Sequence, residues 1–139
     1  MKKRFLALMA GLAMLLCAAP VFADEAWVTV PYAQHGNGWW SGLALINQSA
    51  EDFDIIIYRT DVGSGFWQPV YQGVVPARGM DTRLLPDFFK DQPYPTENSG
   101  RVSLHIKAVA PRAKKHFRAV LFTGGPDGGF GFESYDHDD

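Results

Sequence analysis

Cysteine is almost missing from this chain: Cys17 is the only one. No disulfide can form within the molecule, so its stability rests on apolar burial and a well-paired backbone. Long apolar runs are missing as well. The longest, Phe5–Leu16, falls short of the roughly 20 residues that a spanning helix needs. No segment sustains a helical period, and no Gly-x-Ser-x-Gly nucleophile turn occurs. His35, His105 and His116 lack the spacing of zinc ligands. Asp61 and Asp127 sit near glycines but lack the alternating acids of a calcium loop. The close carboxylates Asp52 and Asp54 read as solvated acids at a turn. Neither a metal, a cofactor nor a catalytic set is expected, and the chain does not read as an enzyme.

What is present begins with an address. Lys2, Lys3 and Arg4 precede the apolar run, and Val21-Phe22-Ala23 follows it. Positive start, short apolar stretch and small residues before the cut form the pattern of an export signal. The expected cut lies between Ala23 and Asp24. It divides the chain into a signal peptide, 1–23, and one domain, 24–139. Lipid attachment at Cys17 is disfavoured, because Leu16 before it is not small. The expected location is periplasmic or secreted, with no integral membrane segment after cleavage. Three of the 13 cations leave with the signal, so 10 then face 15 acids. An exported acidic domain of this kind is a poor nucleic-acid binder.

Strands and turns alternate through the rest. Ala26–Tyr32 reads as a strand, with Pro31 pointing to an edge or a strand end. Trp39–Asn47 is a second, and Phe53–Thr60, rich in β-branched and aromatic residues, a third. Phe66–Val75, Met80–Leu85, Arg101–Ala108, His116–Thr123 and Phe130–Tyr135 follow. Pro86–Lys90 fits one helical turn with proline at its start. Gly124-Gly125-Pro126-Asp127-Gly128-Gly129 is the strongest turn. The acidic end, Asp136–Asp139, is expected to fray. Seven or eight short strands in a domain of this size predict a single antiparallel β-sandwich, immunoglobulin-like in the loose sense, with a closed barrel as the alternative.

Two groups of residues are candidates for binding. Trp39 and Trp40 are adjacent on a strand, so they point to opposite faces. With Trp67 they offer aromatic platforms for a sugar ring, against the plainer reading of core or interface packing. The second group lies between Arg101 and Arg118, where Arg101, Lys107, Arg112, Lys114, Lys115 and Arg118 occur without an intervening acid. Read as a basic hairpin, it sets Arg101, His105 and Lys107 on one strand face and His116 and Arg118 across from them. Such a patch holds a phosphate, an anionic glycan or a partner's acidic face, or is a solvated, aggregation-resistant edge. Ile56 and Tyr58, opposite Ile55 and Ile57, point to a second covered face, under a loop or under another subunit of a homo-oligomer.

Trp39-Trp40-Ser41-Gly42-Leu43-Ala44-Leu45-Ile46-Asn47 resembles a recurring strand of exported bacterial β-sandwich modules. The layout after it is similar to the sensory rhodopsin transducer family. Its markers are Ile57-Tyr58, Val75-Pro76-Ala77-Arg78, Leu84-Leu85-Pro86-Asp87-Phe88 and Ser103-Leu104-His105-Ile106. The resemblance implies a small β-sandwich that binds partners without catalysis. The export signal departs from a cytosolic signalling role. Together these features predict a non-catalytic exported module that recognises a protein partner or an anionic glycan. The alternatives are a structural or assembly subunit of an envelope complex, and a small hydrolase with an unrecognised site.

Overall fold

The computed structural model describes residues 22–61, 65–89, 93–95 and 100–138. Most of the expected signal lies outside them, as do parts of the turn after Asp61 and of the loop before Gly100.

Among the described residues eight strands form two four-stranded antiparallel sheets. They are β1 (Asp24–Gln34), β2 (Trp40–Asn47), β3 (Phe53–Asp61), β4 (Gln68–Val75), β5 (Met80–Leu84), β6 (Arg101–Ala110), β7 (Phe117–Gly124) and β8 (Phe130–Tyr135). One sheet has the order β1-β6-β3-β4 and the other β5-β2-β7-β8. The expected β-sandwich is therefore the fold. Its likeness to immunoglobulin domains is one of architecture. In those domains the first two strands share a sheet, whereas here β1 and β2 lie in opposite sheets.

Period-two alternation explains the core. Along β3, Phe53, Ile55 and Ile57 are buried, while Asp54, Ile56 and Tyr58 point away. Val102, Leu104 and Ile106 of β6 and Val28 and Val30 of β1 extend the same layer. Leu43, Leu45, Phe117, Ala119 and Leu121 oppose it from the second sheet. Phe53 meets Phe117 edge-on across the layer, with centroids 6.1 Å apart. Each such ring contributes roughly 1.5–3 kcal/mol by leaving water. The single-turn α1 (Leu85–Phe88), with Pro86 in its first turn, adds Leu85, Phe88 and the following Phe89 to the core.

Of the two readings of Pro31, the edge holds and the strand end does not: among the described residues β1 has β6 as its one strand neighbour, it runs on to Gln34, and its register shifts between Val30 and Ala33. The free side of β1 is covered by the acidic end, which is not frayed. The Asp138 amide donates to the Trp27 carbonyl at 2.7 Å, and the Trp27 amide donates to His137 Nδ1 at 3.0 Å. An edge strand left bare invites pairing with another chain, and this tail occupies it.

Candidate functional site

The Arg101–Arg118 hairpin does not exist. β6 pairs with β1 and β3, and β7 pairs with β2 and β8 in the other sheet. Pro111 ends the β6 ladder, Arg112 takes a left-handed conformation (φ 61°), and the one-turn α2 (Ala113–His116) carries the chain across. The basic residues are thereby scattered. Arg101, His105 and Lys107 remain on one face of β6, as the alternation requires. Lys114 and Lys115 are exposed on α2 with His116 at its end. Arg118 is on the outer side of β7, paired with Asp136 at 3.0 Å.

On the outer face of β1-β6-β3 a compact aromatic site forms. The ladders place His105 directly between Thr29 of β1 and Tyr58 of β3. Trp27, opposite Lys107, leans to within 4.9 Å of the His105 ring and stacks on Tyr58 at 5.9 Å and 29°. Trp67 reaches over from just before β4 to 5.1 Å from the same imidazole. Trp27, Tyr58, Trp67 and His105 line an open recess of about 340 Å³. Three aromatic faces and an imidazole give it an almost wholly apolar wall.

Charge lies at the rim and is paired there. Lys107 Nζ stands 5.4 Å over the Trp27 ring and forms an ion pair with Glu25. Its hydrogen bond holds the Glu25 carboxyl below the usual carboxylate range. Asp138 accepts from Thr29 Oγ1 at 2.6 Å and brings a carboxylate oxygen to 3.9 Å from His105 Nε2. The tail thus closes one side of the recess as well as the β1 edge. Stacked faces beside paired charges suit a ligand with both apolar and hydroxyl surfaces. Among the described residues no group of three His, Cys, Asp or Glu side chains converges to hold a metal.

Of the ten candidates, Trp67 and His105 line this recess and Lys107 stands at its rim. Arg101 shares their strand face at its far end. Trp40 opens β2 in the opposite sheet, and Trp39 stands just before it in an isolated bridge with Gly36; the two part company there. Trp39 packs on the β7–β8 turn beside Gly125 and Pro126. Trp40 lies on the outer face, stacked on Phe130 at 5.8 Å, and Phe122 stacks on the same ring at 6.3 Å. Trp27, Tyr58 and Asp138 belong to the site without having been singled out for it. For Trp27 and Tyr58 the signal was alternation, since each flanks buried residues in its strand. For Asp138 no local signal existed.

No family model matches the chain, and no curated protein matches it in sequence. Among solved structures, the Anabaena sensory rhodopsin transducer superposes with a TM-score of 0.51. It is 17% identical, and the match covers 69% of this chain and 90% of that one. At this identity the likeness concerns the fold, and it agrees with the layout read from the sequence.

Proposed function

We propose that the chain is a non-catalytic binding module, exported to the periplasm or beyond, that holds a glycan in the Trp27–Tyr58–Trp67–His105 recess. The observation that carries this reading is the gathering of three aromatic rings and an imidazole around one open site of sugar-ring size. Exposed aromatic faces take the apolar face of a pyranose, while Lys107, Thr29 and Asp138 meet its hydroxyl or acidic substituents. Because Lys107 already faces Glu25, charge serves orientation more than net attraction. Export is supported by the fold boundary, since β1 begins at Asp24 and a cut after Ala23 leaves every strand whole.

Titration of soluble neutral and acidic oligosaccharides, followed by tryptophan fluorescence, tests the site. Trp67→Ala is expected to weaken binding at least tenfold, a loss of about 1.4 kcal/mol. Trp67 is 44% exposed, so its removal leaves the core untouched. Full affinity in that variant, or no saccharide that quenches the wild type, rejects the reading. N-terminal sequencing of the exported protein should begin at Asp24.

A second reading concerns protein contact and rests on the opposite face. The outer side of β5-β2-β7-β8 carries Met80, Leu84, Trp40, Ile46, Val120, Phe122, Phe130 and Phe132. Phe130 and Phe132 are 62% and 72% exposed. A contiguous apolar face of this kind is unusual on a monomer. Self-association through it is the homo-oligomer expected from the sequence, now assigned to a different sheet from Ile56 and Tyr58. Light scattering should show an oligomer for the wild type and a monomer for Phe132→Lys. A wild-type monomer at high concentration rejects it.

A further inference from the structure

We infer that one end of the sandwich binds a tetrahedral oxyanion, phosphate or sulfate, between Arg78 and Arg112. The β2–β3, β4–β5 and β6–β7 connections converge there around a recess of about 320 Å³ lined by Gln48, Ser49, Glu51, Arg78, Arg112 and His116. This site is separate from the aromatic recess, and neither depends on the other.

Unpaired positive charge is concentrated at this end. Arg59, Arg83, Lys107 and Arg118 each have a carboxylate partner: Asp61, Asp81, Glu25 and Asp136. Arg78, Arg112, Lys114 and Lys115 have none among the described residues, and all four lie in the β4–β5 and β6–β7 connections; the other described arginine without a partner, Arg101, is at the opposite end of β6. Glu51, the acid in the lining, forms no ion pair with either arginine.

Backbone conformation gives a second, independent mark. Among the described residues three that are not glycine have positive φ: Asn37, Arg78 (53°) and Arg112 (61°). Asparagine tolerates that region, whereas a long side chain gains nothing from it and costs roughly 1–2 kcal/mol relative to glycine. Both arginines that bear this cost face the same recess. Each is anchored by its backbone: the Arg78 amide donates to the Ser49 carbonyl at 2.9 Å, and the Arg112 carbonyl accepts from Lys115 at 3.1 Å. The Gln48 amide joins the floor to the His116 carbonyl at 3.0 Å. Two planar guanidinium forks on fixed stems match a phosphate or sulfate group better than a point charge would.

The experiment is thermal unfolding and NMR titration of the full domain with sodium phosphate and with sodium sulfate, against sodium chloride at matched ionic strength. A sulfated disaccharide forms a further arm and separates a free ion from an ester group on a larger ligand. Phosphate or sulfate should give a saturable shift with a dissociation constant in the millimolar range or below. Arg78→Gly and Arg112→Gly keep the left-handed backbone and remove the charge. Each should weaken binding at least tenfold, with a melting temperature equal to or above that of the wild type in chloride alone. Arg101→Ala, an exposed cation at the opposite end of β6, should bind like the wild type. Shifts no larger than those of chloride in every arm, or a double glycine variant that binds like the wild type, overturn the assignment.

Discussion

Replacing Asn47 with alanine should lower the unfolding free energy by roughly 3 kcal/mol or more, a large fraction of the 5–15 kcal/mol typical of a domain. Asn47 is 1% exposed at the end of β2. Its Nδ2 donates to the carbonyls of Glu51 (2.7 Å), Val75 and Pro76 (both 3.1 Å). Its Oδ1 accepts the Ser49 amide at 2.8 Å. One amide side chain thus ties the β2–β3 turn to the end of β4, across from one sheet to the other. Truncation takes the acceptor from the buried Ser49 amide and a donor from the buried Val75 carbonyl, at about 1–3 kcal/mol for each buried group left unmet, while the Glu51 and Pro76 carbonyls keep the Ser49 hydroxyl and the Gly79 amide. The small cavity adds less, so unmet hydrogen bonds decide the size of the effect. Asn47→Asp should be no better, because a carboxylate would face carbonyl oxygens and offer no donor. Urea unfolding with an unchanged m-value checks the figure, and a loss below 1 kcal/mol would refute it.

The same residue shows how far the sequence could be read. Asn47 closes the Trp-Trp-Ser-Gly-Leu-Ala-Leu-Ile-Asn strand that carried the resemblance, and its structural role explains why an asparagine stands there. Strands were legible because alternation is local: Phe53, Ile55 and Ile57 announce a buried face with no knowledge of what covers it. The opposite facing of Trp39 and Trp40 follows from the same geometry. Pairing was less legible. β6 and β7 are joined by a short connection, and nothing in their residues says that Pro111 and a left-handed Arg112 send the chain to the other sheet. The basic hairpin failed for that reason, and with it the grouping of His105 with Arg118. The aromatic recess needed the same missing fact. Trp27, Tyr58 and Trp67 are far apart in sequence and meet because β6 lies between β1 and β3. The acidic end is a third case. Asp-His-Asp reads as solvent-exposed until the free edge of β1 presents Trp27's backbone groups to it.

Gly100→Ala should be more damaging than any other single-methyl addition at the described turns. Gly100 has φ +69°, and an added Cβ would run into the His35 backbone carbonyl and approach the Tyr94 ring to 3.1 Å. Its own carbonyl accepts from the His35 amide at 3.1 Å and from the Tyr94 hydroxyl at 3.0 Å. The position joins the end of β1 to the start of β6, where Gln34 pairs with Arg101. Left-handed strain costs about 1–2 kcal/mol. The collision is with backbone, which cannot rotate aside, and overpacking adds typically 1–3 kcal/mol. A total of about 3 kcal/mol is expected. Gly128→Ala is the control, since φ there is +78° but the Cβ meets open space; it should cost the strain alone. Tyr94 reports whether the damage is local. Burial raises its phenol above the ordinary range, so its contribution to stability is full below pH ~10 and lost as pH rises beyond that. In Gly100→Ala the loosened Tyr94 should ionise closer to pH ~10, and the alkaline loss of stability should flatten. An ultraviolet titration in which Tyr94 still ionises as high as in the wild type, with Gly128→Ala equally destabilised, would show that strain and not collision governs this position.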